Sequence, residues 1–146
     1  MQIQRLTPDF AVAPQISEAD IDTLAALGFR SIIGNRPDGE SADQPEFVAL
    51  KTAATQRGLE AAHIPVVASQ IGGADVEAFR EALRILPKPI FAFCRTGTRS
   101  TMLWALANNE TLTPDERIRI AAAHGYDIAA IRPRLAADDA EDLSNA

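Results

Sequence analysis

The sequence predicts an α/β domain built on a parallel sheet, and three observations carry that reading. Short apolar bursts alternate with amphipathic stretches along the 146 residues. The burst Pro89-Ile90-Phe91-Ala92-Phe93 is apolar on both faces, as a strand buried at the centre of a parallel sheet must be. Glycine or proline follows most of the amphipathic stretches, where a helix has to stop.

Taken in order, residues 9–13 read as a first strand. Ser17, three residues before Asp20, opens a helix over 18–27, with Gly28 at its C-terminal end. Residues 29–34 form a buried strand. Residues 35–45 hold two prolines, a glycine and three carboxylates and read as a surface loop, long for its context; a helix over 46–56 follows, stopped by Gly58. A strand over 59–67 and a loop over 68–73 lead to a helix over 74–86, whose apolar face is Val76, Phe79, Ala82, Leu83 and Leu86. Pro87 and Pro89 close it, and the strand 89–93 delivers the chain to Cys94. After a loop over 94–99, the helical run 100–108 buries Trp104 and Met102. Thr113-Pro114-Asp115-Glu116 starts another helix, with a cap, a proline in the first turn and acids matched to the macrodipole. Two short helices, over 114–123 and 127–136, complete the fold. One domain over 1–137 and a flexible acidic tail over 138–146 are expected.

Composition excludes several functions. Twenty acidic against fourteen basic side chains give a net charge of −6, so a broad electropositive face for nucleic acid or anionic lipid is not expected. Any anion site must be local. No apolar run approaches the roughly 20 residues a membrane span needs, and the N-terminus has no secretory pattern, so a cytoplasmic protein is expected. Cys94 is the single cysteine, which excludes an internal disulfide. With only His63 and His124 beside it, no zinc spacing exists, and neither metal nor cofactor is implied.

The chemistry concentrates in Phe93-Cys94-Arg95-Thr96-Gly97-Thr98-Arg99-Ser100, a thiol at the end of a buried strand followed by a glycine-bearing turn and a helix start. Consecutive N–H groups in such a turn converge on one point, and the helix adds its positive end, so a thiolate and a bound oxyanion are favoured together. A helix terminus supplies at most ~2 kcal/mol; N–H donation and the charge of Arg95 or Arg99 supply the rest. Gly97 lets the backbone turn, Arg99 offers a bidentate fork to substrate oxygens, and Ser100 or Thr98 is placed to hydrogen-bond the sulfur. Cys94 and Arg99 are the catalytic candidates, with Arg95, Thr96, Gly97, Thr98 and Ser100 around the substrate. A buried core thiol is the ordinary fate of a lone cysteine, but such a thiol does not need this company.

The string Cys94-Arg95-Thr96-Gly97-Thr98-Arg99-Ser100 resembles the rhodanese active-site loop, in which the cysteine carries a persulfide. It is also similar, with one residue fewer, to the Cys-x5-Arg-Ser/Thr loop of cysteine-based phosphatases. Together with GFRSIIGNRPDGES (28–41), HIPV (63–66) and LWAL (103–106), the pattern over about residues 5–135 resembles the beta-lactamase-hydrolase-like, phosphatase-like domain family of bacteria. That resemblance implies a three-layer α/β/α, dual-specificity-phosphatase-like fold with a four-stranded parallel sheet in the order 1423. Members are labelled both sulfurtransferases and phosphatases, and some are fused to persulfide dioxygenases. It therefore also implies a persulfide dioxygenase as a partner.

Two sequence criteria separate the chemistries. Four residues lie between Cys94 and Arg99 where phosphatases have five, so a tighter cradle suited to one sulfane sulfur is expected. A phosphatase also protonates its leaving alkoxide, help worth ~10²–10⁴ in rate. The loop after the strand 59–67 has no carboxylate to give that help; the nearest, Asp75, reads as a helix-start acid. Asp38 and Glu40, on the loop after the second strand, could serve instead, or could merely build the Pro37-Asp38-Gly39 turn. Asn35 and Arg36 are placed to reach the cradle from the same loop, Arg36 also as an ion-pair partner of these acids. His63 reads as a strand-end residue and His124 as a helix end. On balance the sequence points to a rhodanese-type sulfurtransferase that takes sulfur from thiosulfate or a small persulfide through a Cys94 persulfide and passes it to a thiol acceptor. A cysteine-dependent phosphatase is the alternative, and a non-catalytic anion- or protein-binding module the third reading.

Overall fold

Four successive apolar residues, Ile90-Phe91-Ala92-Phe93, form the central strand, and all four are buried because neighbours cover both edges and helices cover both faces. The structure is a computed structural model and describes residues 1–144. Its strands are β1 (Gln4–Thr7), β2 (Phe10–Ala13), β3 (Ser31–Gly34), β4 (Glu60–His63) and β5 (Ile90–Phe93). Its helices are α1 (Glu18–Ala26), α2 (Phe47–Gln56), α3 (Gly73–Ile85), α4 (Thr98–Ala107), α5 (Pro114–Ala123) and α6 (Arg132–Ser144).

The sheet order is β1-β2-β5-β3-β4. β2, β5, β3 and β4 run parallel, with Phe10 beside Ile90, Ser31 beside Ile90 and Ser31 beside Glu60. Numbered in chain order, these four strands read 1-4-2-3, the topology the resemblance implies. The count of four is corrected to five: β1 pairs antiparallel with β2 across Pro8-Asp9 and makes the sheet mixed. β1 escaped sequence reading because an edge strand buries little. Only Leu6 and Thr7 of its four residues are covered, so no alternation is written into Gln4-Arg5-Leu6-Thr7.

Alternation along the strands divides the core in two. Phe10, Val12, Ile33, Ile90 and Ala92 face Val76, Phe79 and Leu83 of α3, Leu103 and Leu106 of α4, Ala121 of α5 and Leu135 of α6. Ala11, Ala13, Ile32, Phe91 and Phe93 face Ile21 and Leu24 of α1 and Leu50 and Ala54 of α2. Three layers result. Trp104 is buried and Met102 packs against the first of these clusters, as their helical spacing requires.

The helix starts are made by the residues the sequence offers. Ser17 accepts from the Asp20 N–H while the Asp20 carboxylate takes the Ser17 N–H, and Thr113 and Glu116 do the same for α5. The C-terminal region departs from expectation. Ala129–Ile131 form a 3-10 turn, and α6 then runs across the expected boundary at 137/138 to Ser144; residues 145–146 of the expected tail lie outside the described residues. Part of the cause is Arg117, which is 1% exposed. Its guanidinium donates to the Ala105 carbonyl at 2.6 Å and to Asp139 Oδ2 at 2.5 Å, so an acid of the supposed tail neutralises a buried charge. Among the described residues no helix is long and apolar enough to cross a membrane.

Candidate active site

Parallel strands deliver their C-terminal ends to one edge of the sheet, and the loops that leave β5, β3 and β4 there build the site. Cys94, directly after β5, is buried, and its Sγ accepts the N–H of Gly97 at 3.0 Å. Gly97 is the N-cap of the ten-residue α4 and has φ +98°, a conformation that favours glycine. The bend therefore turns an amide onto the sulfur and aims the positive end of α4 at the same place. The remaining loop residues divide by exposure. Arg95 and Thr96 are exposed; Thr98 is half-buried and meets the Thr96 hydroxyl; Ser100 is fully buried. Ser100 or Thr98 is expected to bond the sulfur; the Gly97 N–H does so, and the Ser100 hydroxyl donates to Asn35 Oδ1 at 2.8 Å.

Asn35 is a brace. Its N–H donates to the Phe93 carbonyl at 2.9 Å, its Nδ2 to the Ile64 carbonyl at 2.9 Å, and its own carbonyl accepts from Val66 at 3.0 Å. With the Ser100 bond it ties the ends of β3 and β5, the segment after β4 and the first turn of α4 into one unit. We expect Asn35→Leu to lower stability by about 2 kcal/mol, because it leaves the buried Ser100 hydroxyl and the Ile64 carbonyl without the partner each now has. Urea unfolding of the variant against the parent checks this; an unchanged midpoint would refute the brace.

Arg99 is gripped from the side away from its backbone. Nη1 donates to Glu40 Oε2 at 2.7 Å and to the Val66 carbonyl at 2.9 Å, and Nη2 donates to Glu40 Oε1 at 2.8 Å. Glu40 is held in turn by Arg36, whose Nε donates to Oε1 at 2.9 Å, while Nη1 of Arg36 reaches Gln15 and Nη2 reaches Ser41. Arg99 is stabilised in its charged form first by its hydrogen bonds to Glu40, against the opposing effect of partial burial, and further by electrostatic attraction to the Cys94 sulfur. The hydrogen bond from Arg99, opposed by partial burial and reinforced by Arg36, pulls the Glu40 carboxyl from its ordinary 4.5 down to about 2. Because this pKa is lower in the folded than in the unfolded chain, the pair's contribution is complete above about 4.5 and disappears as the pH falls towards about 2. An acid titration followed by intrinsic fluorescence and by anion binding should show the site intact at pH 5 and weakening only below about 4.5; weakening between pH 7 and 5 would contradict it.

The other carboxylates are committed elsewhere. Asp38 Oδ1 accepts the Phe47 N–H at 2.9 Å and anchors the start of α2, and Asp75 Oδ2 accepts the Gly72 N–H at 2.9 Å in the start of α3. Asp38 is thus turn and helix chemistry, not an acid aimed at Cys94. His63 stacks on Phe47 at 4.4 Å with Nε2 at 3.1 Å from the Arg36 carbonyl, and Nδ1 of His124 lies 2.8 Å from the Ile120 carbonyl at the end of α5. Arg36, Glu40, Ser41, Val67, Ala68, Arg95 and Arg99 line a cleft of about 510 Å³. Three arginines therefore converge locally in an acidic protein, as its charge balance requires of any anion site.

Tyr126 was missed by sequence reading. Its hydroxyl donates to the Thr96 carbonyl at 3.2 Å, so the segment after α5 lies against the Cys94 loop. Burial first, and the Cys94 charge second, push its phenol above the usual tyrosine range. Nothing in its periodicity or neighbours signals this, since the contact spans thirty residues.

Comparison with known proteins agrees with the geometry. Residues 2–111 match the family described as beta-lactamase hydrolase-like protein, phosphatase-like domain. The beta-lactamase hydrolase-like protein of Agrobacterium fabrum is 37% identical over 136 residues, covering 89% of this chain and 31% of that protein. That of Xylella fastidiosa is 34% identical over 130 residues, covering 88% and 30%. The chain thus spans about three tenths of the curated relatives it matches. The crystal structure of a candidate phosphatase from Neisseria meningitidis superposes with a TM-score of 0.84 at 38% identity, covering 94% of this chain and 99% of that one. Tk-PTP in its active form shares the fold, with a TM-score of 0.69 at 15% identity over 94% and 95% of the two chains. These findings overturn the expectation of rhodanese-type sulfur transfer: the likeness over the whole domain is to phosphatase-type proteins. The four-residue spacing is a property of a phosphatase-like domain here, because residue count does not decide which way the amides of a loop point. The chain belongs to the phosphatase-like domain family of beta-lactamase hydrolase-like proteins.

Proposed function

We propose that this domain is a cysteine-dependent phosphatase that hydrolyses phosphate monoesters through a phosphocysteine. One observation carries the reading: at the end of β5 the Cys94 sulfur receives the Gly97 amide at the start of α4, and Arg99 from the first turn of the same helix lines the cleft beside it. A thiolate held this way attacks phosphorus in line with the ester oxygen; the S–P bond forms as the P–O bond breaks, and the alcohol oxygen leaves with the electron pair. The amides of residues 95–99 and the Arg99 fork take up charge on the equatorial oxygens as it grows. Water then attacks the phosphocysteine, releasing inorganic phosphate and restoring the thiolate.

Leaving-group protonation shapes the expected substrate. Glu40 is ionised at neutral pH and Asp38 is spent on α2, so among the described cleft residues no carboxylic acid stands ready to donate. Esters whose alcohol leaves well as an anion, aryl phosphates, are favoured over alkyl phosphates. The test is steady-state release of phosphate from para-nitrophenyl phosphate and from an alkyl phosphate, with acid quench and mass analysis of the Cys94 peptide. Faster aryl turnover and a phosphate adduct on Cys94 support the proposal. Absence of both turnover and adduct would refute it and favour a binding module.

A further inference from the structure

Each peptide unit is a rigid plate whose C=O and N–H point in opposite directions, so holding the carbonyl also aims the amide. In the Cys94 loop three successive carbonyls are held from outside. The Gln15 N–H donates to the Arg95 carbonyl at 3.3 Å, the Tyr126 hydroxyl to the Thr96 carbonyl at 3.2 Å, and the Thr101 N–H and Oγ1 to the Gly97 carbonyl at 3.0 and 2.8 Å. The middle plate is the one whose N–H, that of Gly97, meets the Cys94 sulfur at 3.0 Å. It is therefore gripped at both ends, by the sulfur at the amide and by a phenol from beyond α5 at the carbonyl.

From this we infer that Tyr126 is a positioning residue: by holding the Thr96 carbonyl it keeps the Gly97 N–H turned toward Cys94 and the oxyanion bound above it. The inference rests on the phosphatase reading for that oxyanion alone. This plate needs a grip of its own because a glycine borders it. Without a Cβ, Gly97 restricts φ less than any other residue would, so little else opposes rotation of the plate. Rotated, it would present the negative end of a carbonyl dipole to the anion. Gln15 holds the preceding plate through its backbone and Thr101 holds the following one from within α4; Tyr126 is the donor whose side chain comes from a distant segment. Tyr126 can do this because it is itself fixed. Gly125, at φ +90°, ends α5, and the N–H groups of Gly125 and Tyr126 donate to the Ala122 and Ala121 carbonyls at 3.0 and 2.9 Å.

The competing idea is that the ring only packs, covering Gly97 so closely that a Cβ there would lie 2.2 Å from the phenol oxygen. Tyr126→Phe separates the two, since it keeps the ring and removes the hydroxyl. Packing alone predicts the behaviour of the parent. Positioning predicts weaker anion binding at nearly unchanged stability, because Thr96 is exposed and water can satisfy its carbonyl without fixing its direction. Inorganic phosphate binding by calorimetry, on protein carrying Cys94→Ser so that no chemistry intervenes, should weaken about fivefold. In the active protein kcat should fall about tenfold, more than KM rises, since an amide that meets growing negative charge matters most in the transition state. In proton–nitrogen NMR spectra the Gly97 amide proton should move upfield while the signals of Asn35 and Ser100 keep their places.

Tyr126 is the single tyrosine of the chain, so its absorption reports on this bond with no change at position 126. An anion at the amide end polarises the plate and makes its carbonyl a stronger acceptor. Phosphate should therefore shift the tyrosine absorption of the Cys94→Ser protein to longer wavelength, a measurement that stands even should Tyr126→Phe unfold. Parent-like phosphate affinity and kcat in a folded Tyr126→Phe, a loss accompanied by a large fall in Tm and displaced Asn35 signals, or no absorption shift at saturating phosphate would overturn the inference. Failure of the Cys94→Ser protein to bind phosphate would do the same. Tyr126-dependent phosphate binding in a protein that hydrolyses no ester would instead sink the phosphatase reading and leave the positioning role standing.

Discussion

Cys94→Ser is expected to abolish phosphate ester hydrolysis, by a factor on the order of 10⁴ or more, while leaving the fold and the anion site in place. Serine is close in size to cysteine, and its hydroxyl can accept the Gly97 N–H that now bonds Sγ at 3.0 Å, so the bend after β5 keeps its shape. What is lost is ionisation. The thiolate is the nucleophile, and a thiol is by nature far more acidic than an alcohol, so serine supplies no comparable anion. The measurement is para-nitrophenyl phosphate turnover beside thermal unfolding of the same preparation. Residual activity within tenfold of the parent, in a folded variant, would remove Cys94 from the mechanism.

Gly97→Ala is expected to damage both stability and turnover. At φ +98° an added Cβ is unfavourable by itself, costing about 1–2 kcal/mol. It would also lie 2.2 Å from the Tyr126 hydroxyl oxygen and 2.7 Å from Cζ of the same ring. No rotamer of alanine escapes that contact, so the ring must withdraw and give up its bond to the Thr96 carbonyl, or the loop must shift and take the Gly97 amide off the sulfur. Crowding of this kind adds about 1–3 kcal/mol. The sum, about 3 kcal/mol, corresponds to a fall in Tm of about 10 °C for a domain of this size. Activity should fall further than stability alone explains. Tyr126→Ala in the same background should restore part of the Tm, since it removes the crowding but not the backbone cost. A Gly97→Ala protein with the parent's Tm and kcat would show that the loop tolerates a conformation the structure does not have.

The weighing of sulfur against phosphate shows where reading a sequence loses its hold. A count of residues between Cys94 and Arg99 measures contour length. The chemistry depends on where the amides point, and that is set by Gly97 at the start of α4 and by Tyr126 from the far side of α5. In the same way Asp38 and Glu40, two residues apart on one loop, read alike in the sequence. In the folded chain one anchors α2 and the other spans to Arg99.

The local elements were legible from the sequence, because their causes are local. The run Ile90-Phe91-Ala92-Phe93 can only be buried on both faces; Ser17 with Asp20 and Thr113 with Glu116 can only start helices; and a cysteine between such a strand and a glycine turn has an amide and a helix end for company. Tertiary structure alone decided the pairings that join distant positions: Glu40 with Arg99, Asn35 with Ser100, Arg117 with Asp139 and Tyr126 with Thr96. Propensity and period act over a few neighbours, whereas the choice of an ionic or hydrogen-bonding partner is made by whichever groups the packed sheet brings within about 3 Å of one another. That is why the nucleophile could be named from the chain, and the residue that holds its arginine could not.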